Sequence, residues 1–275
     1  MEISESFHYD KIQGFKFGSW PFGRPRMFSH IYFLDGLLID TGHRNMRKAV
    51  ISAISPLPVE QIYITHHHED HTGNLGELQN IFTAPTYASS LCIEIMRKPP
   101  SVSFAQWLTW GKNTANFNIQ AEDQKIETSN YQFTIIPVPG HAPDMVCLYE
   151  AQRGWLFSAD LFVKEYIRYF MRSESMKGQI DSITRVLKLD FDVLLCGHNP
   201  QFKGGKEKLK AKLNFLNDFY GKVSQLHHQG NSINAIFASM KLKRSWPIRL
   251  LSTGELSTLN MIKSVIRDEE KKNSF

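Results

Sequence analysis

The sequence predicts a mixed α/β (α+β) fold in which two β-rich blocks carry helices on their outer sides and a helical extension closes the chain. Three observations predict it. Short apolar runs alternate with segments of helical spacing between residues 28 and 200. Histidine and aspartate recur where those runs end. Beyond residue 203 the strand-like runs give way to apolar residues at helical spacing.

The 275 residues are enough to bury a substantial core, and 42% hydrophobic with 21% charged residues is the composition of a globular protein rather than a disordered segment. No stretch of about 18 apolar residues occurs, so no membrane span is expected. The start, MEISESFHYDKIQGF, lacks the basic and apolar regions of a signal peptide. Three cysteines at irregular positions argue against a disulfide framework, so a reducing, cytoplasmic setting is expected, with Cys147 and Cys196 as small core residues. The net charge of +5 mildly favours an anionic partner. Much of the excess lies in Lys203, Lys206, Lys208, Lys210 and Lys212, which read as a solvated helix face.

Residues 28–42 read as two strands joined at Asp35-Gly36, a hairpin signal, the second ending in Asp40-Thr41-Gly42. HRNMRKAVISAIS has helical spacing and stops at Pro56 and Pro58. The strand QIYIT runs straight into HHHEDHTGN, and a helix begins near Leu75. IFTAP and TYAS read as a strand and turn, and residues 90–120 as irregular chain around Pro99-Pro100. Strands are expected at KIETSN, YQFTIIPVPG, MVCLYEA, GWLFSADLF and FDVLLCGH, with a helix over 176–189. After residue 203, Leu209, Leu213, Leu216 and Phe219 mark one helix, NSINAIFASM a second and STLNMIKSVIRDEEKK a third, with a frayed end at DEEKKNSF. Residues 1–202 therefore form the main domain, and 203–275 an extension packed on it.

Four histidines and two carboxylates in His66–His71 are not a core pattern; they are nitrogen and oxygen ligands for zinc- or iron-class ions. On extended chain His66 and His68 point the same way and can share one ion at about 2.0–2.1 Å. Asp70 and His71 follow the turn toward a helix and can reach a second ion. His67 points away and reads as a supporting residue. His141 after Gly140, Asp160 at the end of WLFSAD and His198 after Gly197 supply three more candidates, each at a strand end. A single loop histidine such as His141 would be unremarkable; the ordered set is not.

His-x-His-x-Asp-His, Gly-His, a strand-terminal Asp and a second Gly-His, at gaps of 70, 19 and 38 residues, resemble the metallo-β-lactamase superfamily over about residues 28–200. The resemblance implies a four-layered αβ/βα sandwich. It implies His66, His68 and His141 on one metal, Asp70, His71 and His198 on a second, and Asp160 bridging both. Asp40 resembles the family's aspartate that steadies ligand histidines, and equally suits a turn. The implied cofactor is two divalent ions, zinc first, with iron or manganese compatible. The implied chemistry is hydrolysis by a metal-bridging hydroxide, with Asp70 as the catalytic carboxylate that orients it.

Family members with a bridging aspartate include glyoxalase II thioesterases, lactonases and phosphodiesterases. An ester, thioester or lactone is therefore the expected substrate, as a small molecule, with a phosphodiester or nucleic acid as the alternative and a redox or non-hydrolytic member as the third class. Tyr166 and Tyr169, with Arg168 and Arg172, are candidates for binding an anionic substrate, or form a solvated loop. Trp107, within Phe104 to Trp110, belongs either to a lid over an apolar substrate arm or to a helix packed on the core. A homodimer is compatible with the extension.

Overall fold

The computed structural model describes residues 1–112, 118–243 and 246–272. Its first sheet opens with β1 (Glu2–Tyr9) and β2 (Ile12–Ser19), an antiparallel hairpin pairing Glu2 with Ser19 and Tyr9 with Ile12. β3 (Ser29–Leu34) and β4 (Leu37–Ile39) follow. They are joined where Asp35 and Gly36 take φ 48° and 82°, the paired positive φ values of a type I′ turn. A 3-10 turn (Arg44–Met46) leads into α1 (Arg47–Ile54), then β5 (Gln61–Ile64), α2 (Glu69–Thr72), α3 (Leu75–Ile81), β6 (Thr86–Ala88), α4 (Ser90–Arg97), α5 (Phe104–Trp110) and β7 (Gln120–Ala121). The seven strands lie in sequence order, antiparallel as far as β4 and parallel from β4 to β7.

The second sheet contains β8 (Lys125–Glu127), β9 (Gln132–Pro137), β10 (Val146–Glu150), β11 (Trp155–Ala159) and, after α6 (Met176–Val186), β12 (Val193–Cys196). Its order is β12-β11-β10-β9-β8, with β11 and β12 parallel across the α6 crossover. α7 (Gly205–His228), α8 (Ile233–Ser239), α9 (Trp246–Leu251) and α10 (Thr258–Lys272) complete the chain.

Strand alternation builds the layers. Leu37, Ile39 and Tyr63 face the second sheet and meet Phe133, Leu148, Phe157 and Leu195 in a core between the sheets. Their neighbours Leu38, Ile62 and Ile64 turn the other way, onto Val50, Ile54, Leu78 and Cys92 of α1, α3 and α4. Cys147, Leu156, Leu194 and Cys196 leave the second sheet on its far side and meet α6, α7, α8 and α10. The result is the four-layered αβ/βα sandwich of the metallo-β-lactamase fold.

Five points differ from what the sequence predicts. The N-terminal residues, which carried no strand signal, form the β1–β2 hairpin. IFTAP is the end of α3 and its connection, and the strand starts only at Thr86. Within the stretch read as irregular, Ser89 caps α4 by accepting from the Cys92 amide, and a Ser103/Gln106 capping box starts α5. Both caps are legible signals that Pro99-Pro100 masked; residues 113–117 of the stretch lie outside the described residues. Finally, Lys212 is buried, with Nζ donating to the Leu161 carbonyl at 2.7 Å. It falls on the same stripe as Leu209, Leu216, Phe219 and Val223, so its stem packs while its head seeks an acceptor. Residues 268–272 of the end expected to fray belong to α10, and 273–275 lie outside the described residues. Among the described residues no helix is long and apolar enough to cross a membrane.

Phe157 is 1% exposed between the sheets and meets Tyr32 and Phe133 edge-on at 5.5 and 5.8 Å. Phe157→Ala should lower the unfolding free energy by about 3–5 kcal/mol. The urea midpoint checks this, and a loss under about 1 kcal/mol would mean that the sheets are not packed through this residue.

Candidate metal centre

Two pairs of parallel strands end at the same rim of the sandwich. β4 ends at Asp40 and β5 at Thr65-His66; β11 ends at Asp160 and β12 at Gly197-His198. The loop from β9 to β10 brings in His141, and α2 turns Asp70 and His71 inward. Side chains far apart in sequence converge because parallel strands place their C-terminal ends together.

The structure gathers two ligand groups, His66/His68/His141 and Asp70/His71/Asp160/His198, each with its donor atoms within 4.8 Å of one another. His68 Nδ1 lies 3.1 Å from His66 Nε2 and 3.0 Å from His141 Nε2. In the second group His71 Nε2 is 3.3 Å from Asp160 Oδ1, and His198 Nε2 is 3.5 Å from Asp70 Oδ2. Asp160 Oδ2 faces both groups, 3.0 Å from His198 Nε2 and 3.4 Å from His141 Nε2.

These residues fit metal ions. Donors about 2.0–2.1 Å from a common tetrahedral ion are spaced about 3.3–3.4 Å apart, the spacing seen here. His71 Nε2 and Asp160 Oδ1 are buried without a hydrogen-bond partner, an arrangement that costs free energy unless something else satisfies them.

The inward nitrogens of His66, His71 and His198 are aimed by a partner on the far side of the ring. His71 Nδ1 donates to Asp40 Oδ2 at 2.7 Å, and His198 Nδ1 to the Phe28 carbonyl at 2.7 Å. Thr65 Oγ1 sits 3.1 Å from His66 Nδ1 while donating to Asp40 Oδ2 at 2.9 Å. Asp40 itself takes φ 63°, so it forms a turn and orients a ligand at once. His67 turns away, its amide and Nδ1 donating to Asp144 at 2.9 and 2.8 Å. His141 Nδ1 lies 3.4 Å from Glu174 Oε2.

Two glycines are required for different reasons. Gly140 takes φ 145°. At Gly197 a Cβ would lie 2.5 Å from Asp160 Oδ1 and 2.8 Å from His71 Cε1. The Gly197 carbonyl is held in place by the His30 amide and ring, at 2.9 and 3.0 Å.

Burial and charge sort the histidines. Burial, then repulsion among the rings, holds His66 and His68 well below the ordinary imidazole range. Burial also works against charge at His198, but Asp160 outweighs it and raises the pKa to about 9. At His71 burial is likewise overcome, by Asp40, Asp160 and Asp70. At Asp160 burial opposes the charge, and His198 and His71 outweigh it, holding the carboxyl well below its usual range.

The other candidates lie elsewhere. Trp107 lines a separate cleft beside the centre. Tyr166 is 73% exposed, its ring against Phe215 of α7 at 5.6 Å, and Tyr169 is half-buried. Arg172 donates to the Gly254 and Thr253 carbonyls, while Arg168 is exposed. Sequence reasoning missed Asp144, Glu174, His43 and Trp110. Trp110 stacks on His198 at 6.1 Å and meets His43 edge-on at 4.9 Å. None sits in a spaced motif; only the capping box ahead of Trp110 would have shown that its segment is ordered.

A sandwich with a double His/Asp group at one rim defines a candidate metal centre of the metallo-β-lactamase type. The family model of the metallo-beta-lactamase superfamily matches residues 24–198, and the chain belongs to that superfamily. It is 27% identical over 143 residues to a hydroxyacylglutathione hydrolase of Bdellovibrio bacteriovorus, covering 52% of this chain and 50% of that protein, so it spans half that relative's length. A beta-lactamase domain protein from Burkholderia ambifaria superposes with TM-score 0.70 at 14% identity, over 97% of this chain and 88% of that one. A flavo di-iron protein variant from Thermotoga maritima matches with TM-score 0.56 at 16% identity, over 81% of this chain and 63% of that one.

The raised pKa of His198 makes its proton a competitor of any cation at neutral pH. Zinc affinity, measured by chelator competition, should therefore rise from pH 6.5 toward pH 9, with protons released on binding; a flat profile would remove His198 from the ligand set. Gly197→Ala, by crowding Asp160 and His71, should lower the metal content measured by elemental analysis while circular dichroism stays native. Full metal content would show that the close approach is dispensable.

Proposed function

We propose that the chain is a dinuclear metal-dependent hydrolase acting on an ester, thioester or lactone. The observation that carries this reading is the Asp160 carboxylate, which faces both ligand groups and so suits a bridge between two ions. Two ions held this way lower the pKa of a shared water and polarise the electrophile. The chain supplies the rest. Asp70 Oδ2 stands 3.5 Å from His198 Nε2 and 3.6 Å from His71 Nε2, placed to orient a nucleophile and hold its proton. Asp40, Glu174 and the Phe28 carbonyl keep the histidines aimed. Trp110 covers one side of His198 and excludes water there.

The hydroxyacylglutathione hydrolase relative supports a thioester or ester over a phosphodiester. So does the basic helix, the main sequence support for a nuclease: Lys212 is buried and Lys208 pairs with Glu165 at 2.6 Å. Zinc is the favoured metal; the likeness to a flavo di-iron protein keeps iron in view, and manganese shares the ligand preferences.

The test combines metal analysis with turnover of a lactone, S-lactoylglutathione, a p-nitrophenyl ester, a β-lactam and bis-p-nitrophenyl phosphate. Carbonyl turnover at about two metals per chain is expected. Phosphodiester turnover alone would replace the reading with a phosphodiesterase. His68→Ala should reduce activity by more than the roughly 10–100-fold that loss of an outer partner costs, with the urea midpoint retained. Full activity in that variant would remove His68 from the centre.

A further inference from the structure

Beside the centre lies a cleft of about 460 Å³ lined by Arg44, Asn45, Arg47, Trp107, Gly111 and Lys112. Three of the six are cations, and among the described residues lining it there is no carboxylate. The walls are fixed by the backbone. Asn45 Nδ2 donates to the Trp107 and Leu108 carbonyls at 3.3 and 2.9 Å, stapling the end of α5 to the 3-10 turn. Gly111 takes φ 93°, and a Cβ there would lie 2.8 Å from Arg44 Cβ, so the turn that forms one wall accepts only glycine.

The cleft adjoins the metal centre. Trp110 stands against both His43 and His198, and the next residues along the two segments, Arg44 and Gly111, line the cleft. One residue of backbone, about 3.8 Å, separates a wall of the centre from a wall of the cleft on each side.

Arg47 is the third cation of the wall. Its Nη1 pairs with Glu77, while Nε and Nη2 are shielded from solvent and have no hydrogen-bond partner. Nε and Nη2 form the side of the guanidinium that binds an oxyanion with two parallel bonds.

We propose that this cleft is a subsite for an oxyanion, a carboxylate or phosphate carried on the arm of the substrate whose scissile group sits at the metals. The proposal rests on the hydrolase reading and adds the charge of the substrate to it. Arg44 and Lys112 neutralise the anion, with the Arg47 guanidinium behind them in the wall. An acyl or lactone substrate bearing an acidic arm is thereby selected over its neutral counterpart.

The test uses the metal-loaded chain and the double variant Arg44→Gln/Lys112→Gln, which removes two cations and leaves the Arg47–Glu77 pair intact. Glutarate and inorganic phosphate are titrated calorimetrically at constant ionic strength. Affinity for one of them should fall by about tenfold or more in the variant, as expected for loss of charge-assisted bonds, and which one falls separates a carboxylate arm from a phosphate arm. For a turned-over substrate made with an acid arm and with the matching amide arm, the ratio of kcat/KM should favour the acid in the native chain and drop toward one in the variant. Unchanged anion affinity in the variant overturns the subsite. If anions bind as expected but no ester, thioester or lactone is hydrolysed, the hydrolase reading fails and the subsite stands as an anion site alone.

Discussion

The Asp40 carboxylate is the bond on which the centre hangs. It sits at the end of β4, its amide bound to the Tyr63 carbonyl of β5, and its side chain accepts from the Thr65 amide, the Thr65 hydroxyl and His71 Nδ1. Its left-handed φ of 63° is unfavourable by about 1–2 kcal/mol for a residue with a side chain. The bonds it makes hold it there. Through Thr65 and His71 it sets the direction of the first and last histidines of the cluster, and next to it Thr41 binds the His71 carbonyl through both amide and hydroxyl, at 2.7 and 2.8 Å. A buried imidazole with free choice of rotamer would turn to the nearest acceptor; here the far-side nitrogens of His66, His71 and His198 are already engaged, so their near-side nitrogens face the centre.

That design explains what could be read from sequence. Residues whose role depends on local period were legible: Asp35-Gly36 marks a turn because Asp-Gly is among the few dipeptides that take two positive φ values easily, and His66 and His68 share a face because extended chain alternates. The order of the ligand set was legible because ligands sit at strand ends, where apolar runs stop abruptly. Asp144 and Glu174 were not, because each supports a histidine across a loop, and nothing in a loop's composition reports where it lands. The exposed look of Lys212 misled for a related reason: its period placed it on the buried stripe, but its charge spoke for solvent. The β1–β2 hairpin escaped because Gly14 and Gly18 interrupt its alternation; they are there to admit the Phe7 and Phe28 rings, at 2.1 and 2.5 Å from where a Cβ would stand.

The electrostatics of the centre follow from the same geometry. Packing five imidazoles around two carboxylates in a buried space leaves no arrangement of protons that satisfies all of them. His66 and His68 resist charge, while His71 and His198 hold protons against burial because Asp160 and Asp70 stand beside them. Divalent cations would resolve the conflict by taking the place of protons on His71 and His198 and binding His66 and His68 as the neutral rings they already are.

The helices after residue 203 are tied into this arrangement rather than resting on it. α10 fastens the segment that bears Glu174: Ser264 Oγ donates to the Glu174 carbonyl at 2.9 Å and accepts from the Met176 amide at 2.7 Å, and Arg267 Nη2 reaches the same carbonyl at 2.8 Å. Glu174 in turn stands beside His141. From α7, Lys212 holds the Leu161 carbonyl, one residue beyond the Asp160 that faces both ligand groups. A loop carrying a ligand is only as well placed as what it is bonded to, and the segment that runs from Asp160 to Glu174 is bonded at both ends to helices that come last in the chain. The helical layer thus has a positional role: it fixes His141 and Asp160 relative to ligands that the first sheet positions by itself.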